Sequence, residues 1–372
     1  EGFNPGSEIA NLSIFGYDPA RYFTGRGPLE AASLGINLQP GDIAFRCNLV
    51  TLRDQGEKTI MEDFSAGHIT NDEARQIIFD LNQEMGTGEI RFYEGVSYRH
   101  LMVMKNGAER FSGVEKLELV PPHDILDKEI FPFLPEIEEK GKSRNLEKSG
   151  AAEVSGLMSR SRQLLKNHPV NLIRQRNGLP PANSIWLWGQ GRSPRMTTLK
   201  ERFDVDGYVI SAVPLLKGIG IYAGLEVLEV PGATGYFDTN YDGKAQFALS
   251  GLKKKDLVYV HVEAPDEAGH MGNERLKIEA IEVFDEKIVG AILKGMNDFK
   301  SYRVMVLPDH PTPLSLRTHT SDPVPFVIYS NEGCVKNGHV ESFDEDSARR
   351  SKVFVEKGFE LIERFLNPCS SC

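Results

Sequence analysis

Asp266, His270, Asp309, His310 and His319 place two carboxylates and three imidazoles in one stretch of the chain, each in a string punctuated by proline or glycine. Mixed carboxylate and imidazole donors suit zinc or manganese, and five of them exceed what one divalent ion uses comfortably. Two ions about 3.5–4 Å apart could share them. Such a pair holds an oxygen nucleophile and neutralises the charge of an in-line phosphoryl transfer. Any one of these residues alone reads as a turn former or helix cap. Three motifs in succession favour the metal reading.

The elements that must position them are legible. Residues Asp256 to Val262 form an apolar, β-branched run that stops at Pro265, so Asp266 falls just past a strand end. The four-residue step to His270 matches one helical turn and puts both side chains on one face. Residues Tyr302 to Leu307 form a second such run, ending at Pro308 and delivering Asp309 and His310 to the same edge. His319 lies on the loop that enters a third run, Val324 to Tyr329. In open α/β sheets, sites form beyond the carboxyl ends of the strands.

The start of the chain supplies a nucleophile. Pro5-Gly6-Ser7-Glu8 reads as a turn that opens a helix with Ser7 at its first residue or cap. As structure alone, that is a cap. As chemistry, it is a hydroxyl at a positive helix terminus, which favours an alkoxide and a phosphate.

The strings Gly6-Ser7-Glu8-Ile9-Ala10-Asn11-Leu12, Phe15-Gly16-Tyr17-Asp18-Pro19, Thr24-Gly25-Arg26-Gly27-Pro28, Arg46-Cys47-Asn48, Glu263-Ala264-Pro265-Asp266-Glu267-Ala268-Gly269-His270 and Leu307-Pro308-Asp309-His310-Pro311 resemble the 2,3-bisphosphoglycerate-independent phosphoglycerate mutases of archaeal type. These are metalloenzymes of the alkaline phosphatase superfamily. The likeness runs along almost the whole chain. It implies interconversion of 3-phosphoglycerate and 2-phosphoglycerate, with Ser7 transiently phosphorylated and no 2,3-bisphosphoglycerate required. It also implies two divalent ions (Mn, Zn, Co or Mg), one on Asp266, His270 and His319, the other on Asp309, His310 and the Ser7 oxygen. Lys217 matches the family's lysine that contacts the phosphoserine.

One departure stands out. Members of that family open with a short apolar strand ending in an Asp-Gly pair, whereas this sequence starts at Glu1 beyond that point. This reading expects a shortened chain whose second ion lacks a ligand. The alternatives are therefore a phosphatase or phosphonate hydrolase of the same superfamily, or a catalytically impaired truncated form.

A phosphoglycerate carries a carboxylate and a phosphate, so its site needs converging cations, and arginine's bidentate fork suits both groups. The candidates are Arg46 with Asn48, Arg99 with His100, and Arg174. His123 or Asp124 is the candidate for moving the proton of the 2-hydroxyl. Each arginine read alone is a surface ion pair.

The chain has 372 residues, 40% of them hydrophobic, enough for two cores. The expected fold is α/β: an alkaline-phosphatase-like, mainly parallel sheet sandwiched by helices, formed by residues 1–40 and 183–372. A smaller α/β or α+β substrate-binding domain, residues 41–182, is inserted in it, with hinges near 38–41 and 178–185. The metal domain's sheet begins at Ile185–Trp188, and an amphipathic helix near 343–366 closes it. A net charge of −10 argues against nucleic acid. No apolar run is long enough for a membrane span. Four cysteines, Cys47, Cys334, Cys369 and Cys372, are too few and scattered for a disulfide scaffold, which fits the cytosol. Cys369-Ser370-Ser371-Cys372 reads as a frayed tail, and residues 134–150 as a solvated, charge-rich stretch. The expected partner is the small-molecule substrate, and a homo-oligomer is left open.

Overall fold

A computed structural model describes residues 5–111, 113–135, 149–332 and 342–367. The charge-rich segment and Cys334, Cys369 and Cys372 lie wholly or mostly outside these residues. The chain divides into two compact units, residues 24–194 and residues 1–23 with 195–372.

The unit of residues 24–194 is built on one long strand, β1 (Ile43–Gln55), whose first ten residues are all buried. It pairs antiparallel with β2 (Lys58–Asp63), and with β4 (Arg99–Met104), which in turn pairs β3 (Ile90–Val96). β5 (Ser184–Gly191) also pairs β1 antiparallel. Strand alternation sends Ile43, Phe45, Cys47 and Leu49 into the main core with the helices Asn71–Glu84 and Gly150–Leu165. Ala44, Arg46 and Asn48 fall on the opposite face, where the helix Arg26–Ser33 lies. Gly27 makes that approach close: a Cβ there would stand 2.4 Å from the Ala44 carbonyl oxygen.

In the unit of residues 1–23 and 195–372, β6 (Gly207–Ile210) is flanked by β7 (Glu226–Val227) and β8 (Leu257–Val260), all parallel. The helices Pro214–Tyr222 and Tyr241–Leu252 make the crossovers that parallel pairing requires. Ile210, Val230 and Ala248 form the core between sheet and helix.

Four sequence expectations are corrected. The crossings near 40 and 183 lie instead at 23/24 and 194/195, because the helix Arg26–Ser33 packs on β1. The run Ile185–Trp188 belongs to β5 and pairs β1, whose free edge it covers, rather than opening the parallel sheet. The runs near 304–307 and 326–329 form β9 (Arg303–Val306) and β10 (Val327–Ser330), which pair antiparallel with each other. The loop between them holds no named helix to carry a crossover, so the chain simply folds back. The closing helix is two short ones, Glu345–Ser351 and Leu361–Leu366, interrupted at Lys352, which is left-handed at φ 57°. Among the described residues no helix is long and apolar enough to cross a membrane.

Candidate functional site

The helix Ser7–Ile14 starts just after the Pro5-Gly6 turn, with Gly6 as its extended N-cap and Ser7 as its first residue. Ser7 Oγ stands 3.0 Å from His310 Nε2. His310 follows Asp309 beyond the end of β9, and its Nε2 is 3.5 Å from Asp309 Oδ2. Asp266 sits in the first turn of the helix Ala264–Met271 and His270 in its last, as the four-residue step requires. Asp266 Oδ2 is 3.3 Å from His270 Nε2, and Asp266 Oδ1 is 3.5 Å from His319 Nε2. The His310 and His319 rings stack with centroids 3.7 Å apart. All six sequence candidates for the metal centre thus meet in one cluster.

The donor set fits divalent cations. His270 Nδ1 faces the Arg317 carbonyl at 3.0 Å, and His319 Nδ1 faces the Pro5 carbonyl at 3.3 Å. A carbonyl only accepts, so each Nδ1 carries a proton, and each ring in its neutral form offers its Nε2 lone pair. Those two Nε2 atoms are 3.0 Å apart. Facing lone pairs at that distance need a positive charge between or beside them. Backbone carbonyls that fix imidazole tautomers are the usual support of metal-binding histidines. Asp266, His310 and His319 can each direct one donor atom so that all lie within 4.8 Å of one another.

The electrostatics follow from the crowding. Burial would raise the Asp266 carboxyl, but hydrogen bonds from His319 and Thr312 and the nearby imidazoles bring it down to about 2. Its hydrogen bond to His319 raises that imidazole above its ordinary value. Burial lowers His310, against the pull of Asp309. Behind them, burial lowers His261 to about 4 and Lys244 to about 8. Lys244 Nζ donates to the His261 carbonyl at 2.9 Å.

In the unit of residues 24–194, several candidates gather around Trp188. The Arg46 guanidinium lies 4.7 Å from a Trp188 ring centre and pairs with Glu30 at 2.7 Å. Trp188 Nε1 donates to Asn48 Oδ1 at 3.1 Å, and the His123 ring stands edge-on to Trp188 at 5.7 Å. Asp124 neighbours the His123 imidazole at 3.7 Å. Arg99 covers Tyr98, whose ring meets Phe64, and Phe64 meets His123. Arg26 joins this group, 5.5 Å from Trp188 and 3.7 Å from Glu30. The buried Nε atoms of Arg26 and Arg46 have no hydrogen-bond acceptor among the described residues.

Other candidates stand elsewhere. Arg174 is buried as a structural tie: its three nitrogens go to Glu73, the Pro180 carbonyl and the Ala66 carbonyl. His100 is buried, its Nδ1 accepting from Gly95 N at 3.1 Å. Lys217 is paired with Glu229 at 2.7 Å. Sequence reasoning gave no role to Arg26, Trp188, Asn11, Tyr259 or Thr312. Thr312, two residues past His310, bonds Asp266 and was available in the motif; Tyr259 lay hidden inside an apolar strand.

The model of 2,3-bisphosphoglycerate-independent phosphoglycerate mutase matches residues 1–171. A probable 2,3-bisphosphoglycerate-independent phosphoglycerate mutase of Geobacter sulfurreducens is 51% identical over 367 residues, 99% of this chain and 88% of that protein. A mutase of the same name from Methanosarcina acetivorans is 51% identical over 365 residues, covering 97% of this chain and 86% of the relative. Among solved structures, the cofactor-independent phosphoglycerate mutase of Thermoplasma acidophilum superposes with TM-score 0.61 at 27% identity, covering 98% of this chain and 86% of that one. A protein from Pyrococcus horikoshii gives TM-score 0.77 at 27% identity, covering 98% and 83%. The mutase name shared by the first three supports neither the hydrolase nor the impaired-form reading. With half of its residues identical to such relatives along almost its full length, the chain belongs to the 2,3-bisphosphoglycerate-independent phosphoglycerate mutases and is an isomerase.

Proposed function

We propose that this mutase exchanges 3-phosphoglycerate and 2-phosphoglycerate through a phosphorylated Ser7. The observation that carries the reading is the 3.0 Å approach of Ser7 Oγ to His310 Nε2, beside the carboxylate and imidazole cluster. Two divalent ions, of Mn, Zn, Co or Mg, are what that cluster would hold, one on Asp266, His270 and His319 and the other on Asp309, His310 and Ser7. When bound, such ions lower the pKa of the serine hydroxyl and neutralise charge on the phosphoryl oxygens.

The remaining work falls to the chain. Ser7, at the positive end of its helix, attacks phosphorus; the bond from phosphorus to the 3-oxygen breaks and glycerate is released from its phosphate. The 3-oxygen takes up the proton that Ser7 gave up; glycerate then offers its 2-hydroxyl to the phosphoserine, the 2-oxygen bonds phosphorus as the bond from phosphorus to Ser7 Oγ breaks, and Ser7 regains a proton as the 2-hydroxyl loses one. Arg26 and Arg46, with unpartnered buried N–H groups, bind the substrate carboxylate, and Asn48 and Arg99 complete that cluster. His123, next to Asp124, moves the proton of the hydroxyl. Lys217 must leave Glu229 before it can meet a phosphate.

The test is a coupled assay of 2-phosphoglycerate formation with Mn²⁺ added and bisphosphoglycerate withheld, on wild type and Ser7→Ala. Product from the wild type and none from the variant is expected. Unchanged turnover in Ser7→Ala rejects the serine nucleophile, and free phosphate in place of 2-phosphoglycerate turns the reading into hydrolysis.

A further inference from the structure

Asn11 is fully buried, one helical turn beyond Ser7, in a position where packing alone would favour an aliphatic side chain. A buried carboxamide is costly unless its donors and acceptor are all used. Here they are. Asn11 Nδ2 donates to the Ser7 carbonyl at 2.9 Å and to Asp309 Oδ2 at 3.0 Å, while Asn11 Oδ1 accepts from the Tyr259 hydroxyl. The amide orientation is not ambiguous. A carbonyl and a carboxylate can only accept, so the nitrogen must face both, and the oxygen is left for the phenol. Tyr259 is fixed in turn by Phe15, whose ring centre is 4.5 Å away.

We propose that Asn11, locked by Tyr259, is a positioning residue that sets the Asp309 carboxylate against the Ser7 helix. The proposal rests on the reading of Asp309 as a cation ligand given above. One planar group holds both the backbone of the nucleophile and one carboxylate oxygen, so it couples their separation. It also leaves Asp309 one oxygen less free to swing, which pre-orients the carboxylate for a cation. Helix packing by itself would be met equally well by leucine, which makes none of these three bonds.

The test uses metal-free full chain titrated with Mn²⁺ and followed by electron paramagnetic resonance, for wild type, Asn11→Leu and Tyr259→Phe, with circular dichroism to confirm folding. Loss of an outer partner of a metal ligand typically weakens binding about 10–100-fold. Asn11→Leu is expected in that range and Tyr259→Phe in the same direction with a smaller change. Turnover in both should recover as Mn²⁺ is raised, which a merely structural defect would not do. A folded Asn11→Leu that binds Mn²⁺ like wild type overturns the proposal. Should Asn11→Leu not fold, Tyr259→Phe, which removes one oxygen atom, decides alone: wild-type affinity there overturns it. A wild type that binds no Mn²⁺ overturns the metal reading beneath it instead.

Discussion

His270 and His319 point their Nε2 atoms at each other across 3.0 Å, each with its Nδ1 turned to a backbone carbonyl. The pair is built with too little positive charge of its own. Asp266 stands beside both rings; its hydrogen bond holds His319 above its ordinary value, and the same bond helps to lower Asp266.

His270→Ala should therefore weaken Mn²⁺ binding while sparing the fold, since the His270 side chain is 37% exposed. A loss on the order of 10–100-fold in affinity is expected, in line with metal-site losses of this kind. Chelation of the wild type should abolish 2-phosphoglycerate formation and Mn²⁺ should restore it. Calorimetric titration of the variant showing wild-type affinity would remove His270 from the site.

Arg174→Ala should act on stability rather than on substrate. The substitution strips partners from the Glu73 carboxylate and from two carbonyl oxygens. Breaking one side of a buried ion pair costs about 3–5 kcal/mol, less here because Glu73 is partly exposed and retains Thr70. Urea unfolding should show the loss while KM for phosphoglycerate in the folded fraction stays at the wild-type value. A raised KM with unchanged stability would return Arg174 to the substrate site.

His100 should make stability fall on acidification. Burial lowers its folded pKa to about 4 from 6.5, so at neutral pH it is uncharged in both states and costs nothing. As pH drops below 6.5 the unfolded chain takes the proton first, and stability declines until about pH 4, where the folded form takes it too. The full contribution is about 3 kcal/mol. Urea midpoints at pH 7 and pH 4.5 should differ less in His100→Phe than in wild type, and equal differences would contradict this.

Gly27→Ala should destabilise the unit of residues 24–194. Its methyl group would sit 2.4 Å from the Ala44 carbonyl oxygen, so the helix Arg26–Ser33 must lift from β1. Overpacking of this kind costs about 1–3 kcal/mol. The shift also displaces Arg26 and Glu30, so KM should rise together with the loss in thermal midpoint. A variant with wild-type melting would show that the helix yields freely.

Whatever depends on near neighbours along the chain could be read from the order of the residues. Asp266 and His270 share a face because four residues make one turn, and Asp309 and His310 follow β9 because Pro308 ends an apolar run. Ser7 opens its helix because Pro5 and Gly6 precede it. Which distant groups meet emerged from the folded chain. Nothing local distinguishes Arg46, held beneath Trp188 by Glu30, from Arg174, consumed by Glu73 and two carbonyls. Nor could periodicity assign Ile185–Trp188, since an apolar strand suits any open sheet edge and β1 had one free. The bond from Tyr259 through Asn11 to Asp309 joins three segments whose spacing along the chain carries no signal. Local propensity acts over a few residues, whereas pairing of edges and burial of charge are settled by the whole packed chain.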